Sequence, residues 1–147
     1  MSITSARVIP FQPTQWKDTT EFVPPITEGE VIKVYDGDTI TIASKLPYKE
    51  SLLYRFSIRL KGIDSAEIKS KNVNEKEHAK LAKNALSELI LNKKVTLRNI
   101  GTEKYGRILA DVYLGEICVN EWMIQEGLAV KYDGGTKQRP ASWDEEV

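Results

Sequence analysis

Three short clusters in this chain place carboxylates and guanidinium groups beside turns. They are Asp36-Gly37-Asp38-Thr39, then Arg59-Leu60-Lys61-Gly62-Ile63-Asp64-Ser65-Ala66-Glu67, then Lys104-Tyr105-Gly106-Arg107. Each has an ordinary explanation when taken singly. Asp-Gly between β-branched residues is hairpin chemistry. The second cluster reads as a solvated strand end whose ion pairs contribute little, and the third as a basic turn. Together they form a set of parts. Asp38, Asp64 and Glu67 offer carboxylate oxygens, the hard donors that Ca²⁺ or Mg²⁺ prefers. Arg59 and Arg107 offer planar forks suited to bidentate contacts with phosphate oxygens. A hard cation, two arginines and a spare carboxylate are what phosphodiester cleavage requires, because that chemistry depends on positioning and on neutralising developing charge. No Ser or Cys with a His partner offers a competing nucleophilic arrangement.

The elements that must carry these clusters follow from hydrophobic periodicity. From Glu30 onward Val31, Ile32, Val34, Ile40 and Ile42 flank Asp36-Gly37, which predicts two strands joined by a tight turn. Over residues 54–62 Phe56, Ile58 and Leu60 alternate with Arg55, Ser57, Arg59 and Lys61, a half-buried strand. His78, Leu81, Ala82, Ala85, Leu86, Leu89 and Ile90 make one apolar stripe at helical spacing. Asn74 with Glu77 is the expected capping pair of that helix, and Asn92 its end. Strands are predicted over 94–99 and 107–114. A short helix over 119–126 turns Trp122 and Met123 inward and stops at Gly127. The order β-β-β-α-β-β-α fits a mainly β, α+β fold: a five-stranded OB-type Greek-key barrel with one long and one short helix. A split α+β sheet is the alternative that spacing alone leaves open.

At 147 residues and 16.6 kDa the chain suits one domain, assigned here to residues 28–135. Residues 1–27, with Pro10, Pro13, Pro24 and Pro25, read as an extended arm that Phe11, Trp16 and Phe22 could anchor to the domain, or that docks on a partner. Residues 136–147 read as an acidic tail. Net charge is zero, which excludes a broadly basic protein that coats nucleic acid, although residues 28–143 carry 19 bases against 16 acids. A single cysteine, Cys118, forms no internal disulfide, and one Cys with one His cannot build a zinc cluster. No apolar run is long enough for a signal peptide or a membrane span, so the expectation is an intracellular protein, cytoplasmic or virion-associated. His78 is expected to be a satisfied interfacial histidine, Cys118 a small buried hydrophobe and Asn120 a stabiliser of the barrel. Asp36 is either a turn residue or a support behind the metal-binding carboxylates.

Four motifs in sequence order carry a family resemblance: Val34-Tyr35-Asp36-Gly37-Asp38-Thr39, the stretch from Ile58 to Glu67, Lys104-Tyr105-Gly106-Arg107, and Val119-Asn120-Glu121 with Gly127-Leu128-Ala129. Over residues 30–132 the chain resembles the staphylococcal-nuclease-like (thermonuclease) family. The resemblance implies an OB-fold nuclease that hydrolyses DNA and/or RNA with little sequence specificity, using Ca²⁺. It implies Asp38 and Asp64 as metal ligands with the Ser65 main-chain carbonyl, Glu67 as general base, and Arg59 and Arg107 as transition-state stabilisers. Lys104 and Tyr105 would bind a neighbouring phosphate or sugar, and Tyr132 would stack on the base alone where the family has paired tyrosines. Cleavage would break the bond to the 5′ oxygen. Carboxylates by themselves suit Mg²⁺ or Mn²⁺ equally. Ser65-Ala66 replaces the usual Thr-Pro, which loosens the loop carrying Glu67, and a terminal third helix is expected to be absent. The run Lys131-Tyr132-Asp133-Gly134-Gly135 is similar to nuclease-like proteins of large viruses and phages. A non-catalytic nucleic-acid- or protein-binding module, with Tyr105, Tyr113 and Tyr132 as stacking platforms, is the alternative function. A structural subunit docked through its arm is a third.

Overall fold

Alternating apolar and polar residues fold as strands that turn one face to a shared core. The computed structural model describes residues 9–135 and 138–147. Its strands are β1 (Glu28–Asp36), β2 (Thr39–Lys45), β3 (Leu53–Leu60), β4 (Ile63–Asp64), β5 (Lys94–Thr102), β6 (Ile108–Leu114), β7 (Ile117–Cys118) and β8 (Val130–Lys131). Helix α1 (Val73–Ile90) lies between β4 and β5, and α2 (Val119–Gln125) follows β7. β1 pairs with β2 and β5, β2 with β3, and β5 with β6. A parallel pairing of β3 with β6, Ile58↔Ile108, Arg59↔Leu109 and Leu60↔Ala110, closes these five strands into the OB-type barrel. That pairing rules out the split sheet. Register shifts at Val31/Lys33 and Val34/Asp36 mark bulges that bend β1.

Ile40, Ile42, Ile58, Leu60, Val95 and Val112 fill the barrel, joined by Ala82, Leu86 and Ile90 from α1 and by Val119 and Met123 from α2. Side-chain amide bonds seal one side. Asn120 Oδ1 accepts the Val112 amide at 2.9 Å, while its Nδ2 donates to the carbonyls of Lys61 at 2.8 Å and Ala110 at 3.2 Å. Asn120 therefore ties α2 to β6 and to the turn after β3, as a barrel stabiliser should.

Five expectations change. The buried face of α1 is Glu75, Ala79, Ala82, Leu86 and Ile90, and Leu81 is 50% exposed. The helix is capped two residues earlier than predicted, by Asn72, whose Oδ1 accepts the amides of Asn74 and Glu75. Both shifts trace to the C-terminal segment. Trp143, 4% exposed in the 3₁₀ turn Ala141–Asp144, forms a second apolar cluster with Ala66 and Ala79, so small residues face inward there. The stretch expected to be an acidic tail is thus packed over 138–147, and His78 Nε2 donates to the Glu145 carbonyl at 2.8 Å. Of the arm, residues 1–8 lie outside the described residues. Beyond them Phe11, Trp16 and Phe22 are exposed and do not anchor it, whereas Ile26 enters the core. Cys118 is half-buried beside α2 rather than fully inside. No helix among the described residues is long and apolar enough to cross a membrane.

Candidate active site

Gly37 and Asp38 form the two-residue turn between β1 and β2, with Asp36 paired to Thr39. Gly37 matters because a Cβ there would lie 2.8 Å from both Ala82 Cβ and Ser65 Cβ. Its bare backbone lets the turn seat against α1 and against the loop that follows β4. From that position Asp38 reaches the loop. Its Oδ2 accepts the Ser65 amide at 3.0 Å and the Ser65 hydroxyl at 3.2 Å, and its Oδ1 accepts the Thr39 hydroxyl at 3.0 Å. The Asp38 amide donates to Asp36 Oδ1 at 3.0 Å. Asp38, Asp64 and Ser65 are all buried.

β3 delivers Arg59 into the same cluster. Its Nη2 stands 3.5 Å from Asp38 Oδ2 and 3.5 Å from Asp64 Oδ1, so one guanidinium lies between two carboxylates. Its Nη1 donates to the Leu60 carbonyl at 3.0 Å. The parallel β3–β6 register, with Arg59 opposite Leu109, brings Arg107 alongside, and Arg107 Nη1 donates to the Thr39 hydroxyl at 3.4 Å. Glu103 fixes Arg107 with a bidentate pair, accepting from Nε and Nη2 at 3.1 Å each.

The electrostatics are those of crowded charge. Burial works to raise the Asp38 carboxyl, but the Arg59 charge and the hydrogen bonds it accepts outweigh burial and hold it below its ordinary value. Asp36 goes the other way. Burial first, then the neighbouring Asp38 charge, push it up from 3.8 to about 7. Glu103 is lowered by its hydrogen bond with Arg107, which is raised in return.

A groove of ≈ 560 Å³ runs alongside, lined by Arg59, Leu60, Lys104, Tyr105, Arg107 and Tyr132 among others. Tyr105 is exposed, with Lys104 Nζ 5.1 Å from its ring centroid. Tyr132 is fixed at both ends: its amide donates to the Gly62 carbonyl at 2.9 Å and its hydroxyl to the Gly135 carbonyl at 2.9 Å. Tyr113 lies outside this groove, in an adjoining cleft, with Arg98 4.1 Å over its ring.

The fold therefore joins Asp38, Arg59, Asp64, Ser65 and Arg107 in one contact network and sets Lys104, Tyr105 and Tyr132 along the groove beside it. Glu67 follows the cluster on the loop after β4. It is exposed two residues beyond Ser65, its amide donating to Glu75 Oε2 at 3.0 Å. Among the described residues no group of three or more His, Cys, Asp and Glu side chains is arranged to hold a metal ion. The buried carboxylates of Asp38 and Asp64, which share Arg59, are nevertheless hard donors of the kind Ca²⁺ or Mg²⁺ takes, so the donor set fits such a cation. Sequence reasoning missed Glu103 and Glu75, and quoted Thr39 in the first cluster without a role. The spacing of Glu103 to Arg107, i to i+4, was a usable signal for the first.

A model of the Staphylococcal nuclease homologue family matches residues 57–145. The chain is 37% identical over 102 residues to the thermonuclease of Staphylococcus hyicus, covering 68% of this chain and 56% of that protein. It is 35% identical over 102 residues to an uncharacterized endonuclease of Haemophilus influenzae, covering 69% and 51%. It is 31% identical over 101 residues to a probable staphylococcal-like nuclease of Oryza sativa subsp. japonica, covering 67% and 28%. The aligned chain spans about half or less of the length of these curated relatives.

Proposed function

The chain belongs to the Staphylococcal nuclease homologue family, and on that premise we propose that it is a nuclease hydrolysing phosphodiester bonds of DNA and/or RNA with little sequence specificity. The observation that carries this reading is the placing of Arg59 between Asp38 and Asp64 at the edge of a groove shared with Arg107. A divalent cation, Ca²⁺ in the first instance, would be held by Asp38, Asp64 and the Ser65 main-chain carbonyl, and would supply positive charge to the phosphate.

The chain's own residues do the rest. Lys104 and Tyr105 bind a phosphate or sugar flanking the scissile bond, and Tyr132 presents its fixed ring to a base. Arg59 and Arg107 donate to the non-bridging oxygens, and these bonds strengthen as negative charge builds toward the transition state. Glu103 keeps the Arg107 fork aimed, so little reorganisation is needed at the moment of reaction. Glu67 takes a proton from the attacking water as its oxygen bonds to phosphorus. The bond to the 5′ oxygen breaks with its electron pair going to that oxygen, which takes a proton from solvent water, leaving a 3′-phosphate and a 5′-hydroxyl.

The test is degradation of labelled single-stranded DNA and RNA with Ca²⁺, with Mg²⁺ and with chelator, beside a Glu67→Gln variant. Cation-dependent cleavage lost in the variant supports the assignment. Intact substrate in every lane, from folded protein, defeats it. Tyr105 and Tyr132 along the groove also suit a second reading, a non-catalytic binding module. Such a module holds oligonucleotide equally well with chelator present.

A further inference from the structure

Residues 138–147 are tied to the loop that carries Glu67 by contacts outside the barrel core. Arg139 Nε donates to Glu75 Oε1 at 2.6 Å, and its Nη1 and Nη2 donate to the two Asp144 carboxylate oxygens at 3.0 and 2.6 Å. Glu75, buried on the first turn of α1, accepts the Glu67 amide on Oε2 at 3.0 Å and the Ser70 hydroxyl on Oε1 at 3.2 Å. One carboxylate thus clasps both ends of the turn that the Ser70 amide closes on the Glu67 carbonyl at 3.2 Å. Asn72 Nδ2 donates to Asp144 Oδ1 at 2.7 Å, and Asn74 Nδ2 to the Asp144 carbonyl at 2.8 Å. Beneath these bonds Trp143 packs in one cluster with Ala66, the residue before Glu67, and with Ala79.

Residues 65–71 hold no proline, and Ala66 restricts its backbone little. Burial pushes the Glu75 carboxyl up, but the Glu67 amide, Arg139 and Ser70 outweigh it and keep Glu75 ionised. A buried carboxylate in that state needs its counter-charge, and Arg139 provides it.

We propose that Arg139 and Trp143 are positioning residues: acting through Glu75 and Ala66, they fix the loop so that Glu67 meets the attacking water. This rests on the reading of Glu67 as general base of a nuclease. Misplacing a reacting group by about 1 Å can lower turnover by about 100-fold, so the strut belongs to catalysis although it touches no substrate.

The test uses the full chain with Arg139→Gln and Trp143→Ala. Hydrogen exchange of the Glu67 amide, followed by NMR, is read without substrate. It should accelerate at least about tenfold in both variants, while the amides of Val31 and Ile58 in the barrel keep their rates. With DNA and Ca²⁺, kcat should fall about 10- to 100-fold with KM held within about twofold. In a Glu67→Gln background Arg139→Gln should cost nothing further. Unchanged Glu67 exchange overturns the clasp, and an equal loss of turnover in both backgrounds overturns the positioning role. A wild-type protein that does not cleave, or a Glu67→Gln variant as fast as wild type, refutes the general base and the catalytic half of the proposal. Should Trp143→Ala fail to fold, Arg139→Gln decides, because Arg139 belongs to neither apolar cluster.

Discussion

Asp36→Asn should stabilise the cation-free protein, and by an amount that depends on pH. The Asp36 carboxyl sits beside Asp38, accepts the Asp38 amide on Oδ1 at 3.0 Å and is pushed from 3.8 to about 7. Its protonated form can also donate to the Asp38 carboxylate, and asparagine reproduces both bonds without the charge. The sign follows from linkage. Below about pH 4 the group is protonated in folded and unfolded chains alike and contributes nothing. Between about 4 and 7 the folded chain holds a proton that the unfolded chain has lost, so stability falls as pH rises. Above about 7 the penalty is complete. About three pKa units at 1.36 kcal/mol each set a ceiling of about 4 kcal/mol. Sharing of the proton with Asp38 reduces that, and about 2 kcal/mol is expected. Urea denaturation in chelator at pH 4, 6 and 8.5 measures it: the variant should match wild type at the lowest pH and gain progressively above. Equal stability at pH 8.5, or a uniform offset at every pH, would refute the account of a strained Asp36–Asp38 pair.

Other perturbations probe separate parts. Arg107→Ala should lower kcat by about 10²–10³, the usual effect of losing one preorganised donor, and unchanged turnover would remove Arg107 from the site. Gly37→Ala brings a methyl group to 2.8 Å from Ala82 and Ser65; thermal or urea melts should show a loss of about 1–3 kcal/mol from overpacking. Asn120→Ala leaves the buried Val112 amide and the Lys61 and Ala110 carbonyls without this partner. Its urea midpoint should fall by an amount equivalent to about 1–3 kcal/mol, with the urea slope unchanged.

The barrel strands were readable because Ile40, Ile42, Ile58 and Leu60 repeat with period two and all point into one core. Asp38, Arg59, Asp64 and Arg107 stood out because charged residues at turns have few structural reasons to cluster. The parallel pairing of β3 with β6 left no local trace, since a contact between strands so distant in sequence has no periodicity of its own. The face of α1 was misjudged for a related reason. Glu75 and Ala79 carry no hydrophobic signal; Ala79 packs in one cluster with Trp143, which sits among acidic residues that read as solvated, and Glu75 pairs with Arg139. A lone tryptophan in a charged stretch was the available clue. Glu67 stood out with Asp38 and Asp64 and took its role as base from the resemblance, but the carboxylate that clasps its loop, Glu75, was hidden within a run of Asn, Glu and Lys that looks like any exposed first turn of a helix.

The β3–β6 seam has one more consequence, in the order of assembly. Arg59 and Arg107 come from strands separated by α1 and β5, and they become neighbours only when Ile58 to Leu60 pair with Ile108 to Ala110. A pairing so remote in sequence forms late, because the intervening chain must be closed first. A partly folded chain can already have its helix and its first hairpin and still lack two adjacent guanidinium groups. On the proposed nuclease reading, chemical competence and completion of the barrel are then a single event, and a nascent or damaged chain near nucleic acid stays inert until that seam is shut.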